Sequence, residues 1–241
     1  MSGKIIKQIC LIVSALVFIS ISVTQAQMVK AVVAVTGSMK DAVSKKPLAV
    51  NVTVFDNTGK KVNTAKSNDY EDGYYFVTGL LPGNVYTFEI SSTTHFKENF
   101  TISIPNTDKY LEISRDFNLK PLKLNAKIPL AVSPFEYNKT KLRFGSVLAL
   151  EGLANTLKSN PKVKFTIISY PDNDKNPEAN KELTLKRADA LMDYLVVNGI
   201  DPMRIKIQES SNTDPDLPPP AEKRAKGKKY IGSTYIIINE I

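Results

Sequence analysis

The chain has 241 residues, of which 42% are hydrophobic and 23% are charged, and its net charge at neutral pH is +8. This length suits two domains of ordinary size, each able to bury its own core. The single cysteine, Cys10, lies in the first apolar segment, so the rest of the chain offers no disulfides, thiol chemistry or cysteine-based zinc sites. Most of the excess positive charge follows residue 122, so the second half is better suited to an anionic partner.

Residues 1–26 have the layout of a secretory signal peptide. Lys4 and Lys7 give a positive start, residues 9–23 are almost wholly apolar, and the segment ends in TQA. The apolar run is shorter than the ~20 residues that a membrane-spanning helix needs. We therefore expect cleavage after Ala26 and no transmembrane segment in the mature chain, with an uncleaved membrane anchor as the alternative. Nucleic acid is a poor candidate partner for a secreted chain.

Residues 27–122 predict an all-β domain. Short runs rich in Val, Ile, Tyr, Phe and Thr alternate with turn signals such as DNTG, EDG and LPG. Strand-like runs at this spacing, with no helical stretch between them, indicate an antiparallel sandwich.

The order of these runs carries a more specific likeness. VTGSMKDAVSKKPLAVNVTVFDNTGKKV is followed by DGYYFVTGLLPGNVYTFEI, over roughly residues 30–92. This order resembles the carboxypeptidase regulatory-like domain, a transthyretin-like β-sandwich. The resemblance implies a non-catalytic module that serves as a scaffold or docks a partner such as another envelope protein.

The single histidine, His95, follows this stretch. A zinc site takes three or four ligands, and no others cluster around it in the sequence, so we expect a surface residue and no metal site.

A linker is predicted over residues 123–132, and the pattern changes after it. Residues 133–241 alternate helical and strand patterns: FGSVLALEGLANTLKSNP is helical, and KVKFTIISY, MRIKIQES and STYIIINEI read as strands. A second helix starts at Asn176-Pro177, a suitable N-cap and first position, and ends at Asn198-Gly199. We predict an α/β (α+β) βαβαβ domain with its helices on one face of the sheet, and independent folding of the two halves.

The second half carries its own set of ordered motifs. FEYNK, then SYPD, then NKELTLKRADALMDYL, then NGIDPMRI occur in that order over about a hundred residues. Together they resemble the peptidoglycan-associating OmpA-like C-terminal domain. The spacing from the loop aspartate, Asp172, to the helix arginine, Arg187, is that of the family.

The resemblance implies that Asp172 and Arg187 bind the diaminopimelate of the peptidoglycan stem peptide. The free end of diaminopimelate carries an ammonium, which a carboxylate can hold, and a carboxylate, which suits the forked N–H groups of arginine. Asn180 and Asn138 occupy family positions near the pocket and would donate further hydrogen bonds. We expect an open pocket, and we expect removal of either charge to abolish binding with little change in melting temperature. The alternative is that the two charges only pair with each other.

Several positions depart from the family pattern. Ser169 replaces a glycine, and Pro171, which has no N–H to offer a ligand, replaces a threonine. Glu209 and Ser211 replace two further glycines, and the basic run at residues 223–229 has lysines where the family has arginines.

These observations favour a secreted envelope protein of a Gram-negative bacterium, in the periplasm and associated with peptidoglycan or the outer membrane. The OmpA-like domain would anchor it non-covalently, and the β-sandwich would dock a partner. The alternative is a degenerate interaction module in an envelope or secretion assembly without peptidoglycan binding. An enzyme is not expected and no cofactor is implied, because the sequence has neither Gly-x-Ser-x-Gly nor His-Glu-x-x-His and only one histidine.

Overall fold

The computed structural model describes residues 31–130, 132–221 and 229–241. The predicted signal peptide, residues 1–26, lies outside these ranges, as does the basic run apart from Lys229. No helix in the described ranges is long and apolar enough to cross a membrane.

The first region, up to residue 119, consists of strands in two sheets. The strands are β1 (Val33–Asp41), β2 (Asn51–Phe55), β3 (Lys61–Lys66), β4 (Tyr74–Leu80), β5 (Val85–Ser91), β6 (Glu98–Ser103), β7 (Leu111–Ser114) and β8 (Phe117–Leu119). One sheet has the order β4-β1-β7, with β8 also paired to β1, and the other has the order β3-β2-β5-β6.

Alternating apolar residues of both sheets form one shared core. In β5, for example, Tyr86, Phe88 and Ile90 are buried while the residues between them are not, as expected for a sheet with one solvated face. Gly73 makes the turn before β4 at φ 77°, and a Cβ there would lie 2.1 Å from the carbonyl oxygen of Met39. The predicted all-β fold of this region is confirmed.

The second region is a sheet with helices on one face. Its elements are β9 (Lys127–Pro129), α1 (Val147–Ser159), β10 (Lys164–Ser169), α2 (Pro177–Val197), β11 (Ile205–Gln208) and β12 (Thr234–Glu240). The sheet has the order β11-β10-β12-β9; β10 and β11 are parallel, and the other pairs are antiparallel. The predicted α/β fold is confirmed.

The apolar face of α2 packs against this sheet. Ala188, Leu191 and Leu195 are fully buried with Phe165 and Ile167 of β10. The Asn176 side chain accepts a hydrogen bond from the Ala179 N–H, 3.2 Å away, and thereby caps the helix as predicted.

The stretch predicted as a linker contains β9, which pairs with β12 at the edge of the second sheet. It is therefore structured at least in part. The domain boundaries themselves stay predictions.

The two regions meet through a short segment that precedes β6. Phe96 is buried in the core of the second region, among Leu157, Val163 and others. The next residue, Lys97, accepts a hydrogen bond from the Asn160 side chain through its carbonyl (2.8 Å) and donates one to it through its N–H (3.0 Å). A second region cut at residue 122 would therefore lack one of its own core side chains.

We expect Phe96→Ala to lower the free energy of unfolding by about 3–5 kcal/mol, because it removes a fully buried aromatic ring. Urea denaturation of the mature chain provides the measurement. The matched control is Phe76→Ala, at a half-exposed position, for which we expect a much smaller loss. Equal losses for the two variants would show that Phe96 adds nothing to the second core.

Candidate functional site

Asp172 and Arg187 form a bidentate ion pair in the second region. Arg187 Nη1 lies 2.9 Å from Asp172 Oδ1, and Arg187 Nη2 lies 2.9 Å from Asp172 Oδ2. Both residues are buried: 0% of Arg187 and 4% of Asp172 is exposed. The two side chains lie together, as the sequence analysis expected. The structure has a closed ion pair here and not the open pocket that was expected.

The remaining N–H groups of Arg187 donate to backbone carbonyls. Nε donates to Lys139 (2.9 Å), Nη2 to Glu136 (3.1 Å) and Nη1 to Tyr170 (3.3 Å). The guanidinium also lies 5.3 Å from the centre of the Phe135 ring. Since arginine has five N–H donors, every one of them is used within the protein.

The carboxylate of Asp172 is satisfied in the same way. Oδ2 accepts a hydrogen bond from the Asn138 N–H (2.6 Å), and Oδ1 accepts one from the Gly232 N–H (2.8 Å). Each oxygen thus accepts one bond from Arg187 and one from the backbone. A buried ion pair stabilises a fold only when its remaining donors and acceptors are met, and this pair fulfils that condition.

Four parts of the chain create this arrangement. Asp172 follows β10, Arg187 lies on the buried face of α2, Asn138 belongs to the loop before α1, and Gly232 precedes β12. Asn138 has φ 55°, a left-handed conformation that asparagine tolerates better than most residues. The site therefore depends on loops that are distant in sequence.

The two predicted asparagines behave differently. The Asn138 side chain is exposed, and the backbone of this residue contacts the pair. Asn180 is buried, and its amide nitrogen donates to the carbonyls of Asn173 (2.6 Å) and Ser211 (2.9 Å). Asn180 thus joins two loops beside the site, and no contact places it on the ion pair itself.

The loop that contains Ser211 is held by two further carboxylates. Asp174 accepts hydrogen bonds from the Thr213 N–H (2.6 Å) and hydroxyl (2.9 Å). Asp214 is fully buried and accepts a bond from the Tyr235 hydroxyl at 2.6 Å. Burial alone would raise the pKa of the Asp214 carboxyl, but the hydrogen bonds from Tyr235 and the Asp216 N–H lower it. The loop is therefore fastened at both sides.

Gly232 is a site residue that the sequence did not reveal. A Cβ at this position would lie 1.9 Å from the carbonyl oxygen of Tyr170 and 2.6 Å from that of Pro171. Only glycine allows the two chain segments to approach so closely and Asp172 to receive this N–H. A single glycine before a strand is too common to have identified the contact.

Two of the departures from the family pattern have defined roles in the fold. Ser169 is fully buried, and its hydroxyl lies 3.0 Å from that of Thr234, which joins β10 to β12. Lys229 places its ammonium 4.5 Å from the centre of the Tyr137 ring, a cation–π contact beside the Asn138 loop.

The expectation that His95 lies on the surface is wrong. The residue is buried, with Nε2 2.9 Å from Asp41 Oδ2 and Nδ1 2.9 Å from the Thr94 hydroxyl. Burial alone would raise the pKa of the Asp41 carboxyl, but hydrogen bonds from the backbone of Ser44 and from His95 lower it to about 2. Within the described ranges, no group of three or more His, Cys, Asp or Glu side chains is arranged to hold a metal ion.

Comparison with known sequences identifies the second region. Residues 134–226 match the OmpA family, and this part of the chain is an OmpA family domain. The Probable lipoprotein YiaD of Escherichia coli (strain K12) is 30% identical over 94 residues, or 39% of this chain and 42% of that protein. The chain thus spans less than half the length of this curated relative.

Two solved structures are similar to part of the chain at low identity. The peptidoglycan-associated lipoprotein from Burkholderia pseudomallei is 19% identical, with a TM-score of 0.37, and the match covers 44% of this chain and 88% of that one. The OmpA-like domain of FopA1 from Francisella tularensis subsp. tularensis SCHU S4 is 19% identical, with a TM-score of 0.35, and the match covers 45% of this chain and 73% of that one.

We expect Arg187→Ala to lower the free energy of unfolding by about 3–5 kcal/mol, because it leaves the Asp172 carboxylate buried without its partner. This replaces the expectation, drawn from sequence alone, of little change in melting temperature. The control is Lys186→Ala, which removes an exposed cation from the adjacent residue and loses only a surface ion pair with Glu182. Urea denaturation measures the free energy of unfolding of both variants. A similar small loss for both would mean that the buried pair does not stabilise the fold.

We expect Gly232→Ala to lower the free energy of unfolding by about 1–3 kcal/mol, since the added methyl group must displace the Tyr170–Pro171 backbone. Gly152→Ala is the matched control, because a Cβ at Gly152 meets no atom within 4 Å. That control should leave stability unchanged or raise it. Thermal unfolding of both variants tests the close approach, and an unaffected Gly232→Ala protein would refute it.

Proposed function

We propose that this protein is a secreted envelope protein that associates non-covalently with peptidoglycan through its OmpA family domain. The observation that carries the proposal is the buried Asp172–Arg187 pair, which lies inside the matched residues at the spacing of the family's ligand-binding motif. The name of the Burkholderia relative, a peptidoglycan-associated lipoprotein, supports the same function.

The ligand we propose is the free end of diaminopimelate in the stem peptide. Its ammonium would take hydrogen-bonding positions on Asp172, and its carboxylate would take N–H groups of Arg187. Because both groups are already satisfied, binding requires the ligand to displace internal partners. The carbonyls of Glu136 and Lys139 and the N–H of Asn138 belong to one loop, and we propose that this loop shifts to admit the ligand.

We propose that Asn138 assists binding at the surface. Its side chain is exposed although its backbone touches Asp172, so its amide would meet a ligand that enters past this loop. Asn180 would act indirectly in this proposal, by holding the loops at Asn173 and Ser211.

The alternative proposal is that the protein is an interaction module that has lost peptidoglycan binding. The complete internal satisfaction of Arg187 and Asp172 favours it, as does Pro171, which has no N–H for a ligand carboxylate. Both functions are binding functions, and we propose no catalytic role.

The rest of the chain fits an envelope location. We propose that residues 1–26 direct export, and that the mature protein resides in the periplasm of a Gram-negative envelope, at the peptidoglycan or outer membrane. We further propose that the first region is a carboxypeptidase regulatory-like sandwich that docks a protein partner.

We expect the mature chain to sediment with purified diaminopimelate-type peptidoglycan and much less with lysine-type peptidoglycan, because lysine lacks the second carboxylate. Asn138→Gly should reduce the sedimented fraction several-fold without a change in melting temperature, since glycine tolerates the left-handed φ at this position.

The control for this experiment is Asn125→Gly, the same change at another exposed, left-handed asparagine. It should sediment as the unchanged protein does. Equal sedimentation with both peptidoglycan types would argue against diaminopimelate recognition, and no sedimentation with either would favour the interaction module.

A further inference from the structure

Two large apolar side chains at the start of helix α1 are left uncovered by the rest of the protein. Phe144 is the first residue of a 3-10 turn, Phe144–Ser146, which runs directly into α1. Its side chain is 94% exposed, and that of Leu148, the second residue of α1, is 84% exposed. Four residues span at most about 8 Å along the axis of a 3-10 or α-helix, so the two side chains form one apolar patch.

Three cations precede this patch in the chain and have no anionic partner. Residues 137–150 contain Lys139, Lys141 and Arg143 but no aspartate or glutamate. Within the described ranges, none of these three side chains takes part in an ion pair. The first turn of α1 also has no acidic residue to compensate the positive end of the helix dipole. Residues 139–148, which we call the α1 tip, therefore combine exposed apolar side chains with unpaired positive charge.

Arg143 indicates independently that the α1 tip meets an anion. Its Nε is buried, yet this atom has no hydrogen-bond partner in the described part of the chain. Buried polar groups without a partner are rare in native proteins, and each one requires an explanation. The guanidinium lies beside the 3-10 turn, since Nη2 is 3.9 Å from the position that a Cβ on Gly145 would occupy. Phosphate and carboxylate oxygens are the partners that suit its forked N–H groups.

The two properties of the α1 tip together restrict what can cover it. A free anion would pair with the cations but leave Phe144 and Leu148 in water, and an apolar protein surface would leave the cations unpaired. The Phe144 side chain projects from the surface, so a protein partner would need a pocket shaped to receive it, whereas a bilayer needs none. Segments that lie at a bilayer surface place apolar side chains at the boundary between headgroups and acyl chains, with Lys and Arg attracted to anionic headgroups.

We propose that the α1 tip docks on the surface of a bilayer that contains anionic phospholipids. Phe144 and Leu148 enter the boundary between headgroups and acyl chains, and Arg143 binds a lipid phosphate with Lys139 and Lys141 beside it. Two inserted side chains and three cations provide a weak, reversible attachment and not a permanent anchor. This function does not depend on peptidoglycan binding.

The test is flotation of the mature chain with lipid vesicles at low salt. We expect the protein to float with vesicles of phosphatidylethanolamine and phosphatidylglycerol, and to stay in solution with vesicles of phosphatidylcholine alone. Phe144→Ala should weaken binding to the anionic vesicles about tenfold, because it removes the largest inserted side chain. Lys141→Gln should weaken it about fivefold, the contribution of one lysine near an anionic surface. Both side chains are exposed, so neither variant should change the melting temperature.

Each variant has a matched control in the second region. Met203→Ala removes an apolar side chain that is 87% exposed, and Lys206→Gln removes an exposed lysine. Neither control should change vesicle binding, which separates the α1 tip from general hydrophobicity and net charge. Phe144→Ala should sediment with peptidoglycan to the same extent as the unchanged protein, so a failure of vesicle binding and a failure of peptidoglycan binding are separate results.

The proposal is overturned if the unchanged protein does not float with the anionic vesicles, or if neutral vesicles bind it equally well. Equal losses for Phe144→Ala and Met203→Ala would overturn it too. Sedimentation velocity covers the remaining possibility: if the chain self-associates and Phe144→Ala abolishes that association, a second copy covers the α1 tip and the bilayer is not its partner.

Discussion

The second region depends on one buried ion pair. Asp172 and Arg187 are joined by two hydrogen bonds of 2.9 Å and are almost completely removed from solvent. Burial of two charges is tolerated only when every remaining donor and acceptor is met, and here the pair and its remaining partners come from four separate chain segments. The pair therefore couples the positions of four segments: the loop before α1, the end of β10, the buried face of α2 and the residues just before β12. A change in the position of any one of them affects the other three.

The architecture could be predicted from the sequence because it rests on local patterns. Alternation in β5, the apolar spacing of Ala188, Leu191 and Leu195, and the Asn176-Pro177 start of α2 all reappear in the structure. The state of the ion pair could not be predicted, since spacing along the chain indicates that two charges meet but not whether other loops cover them. The covering groups belong to residues 136–139 and Gly232, tens of positions away. His95 was misjudged for a similar reason, because its partner Asp41 lies in β1, 54 positions earlier in the chain.

The junction between the regions extends this coupling beyond the OmpA family domain. Phe96 lies in the core of the second region although its neighbours in sequence belong to the sandwich, and Asn160 bonds to the backbone next to it. β9 adds an edge strand from the stretch between the two regions. Force or movement applied to the sandwich would therefore reach helix α1 directly.

The internal pairing of Asp172 and Arg187 would also limit which ligands could bind at the proposed site. An anion that took Arg187 alone would leave a buried carboxylate without its partner, and a cation that took Asp172 alone would leave the guanidinium unpaired; either state costs several kcal/mol. A ligand that carries both charges can replace the internal contacts charge for charge, so no unpaired charge remains buried. Under this constraint a zwitterion such as the free end of diaminopimelate is favoured over any singly charged group. The same constraint predicts weak binding, because the ligand must compete with a pair that is already satisfied.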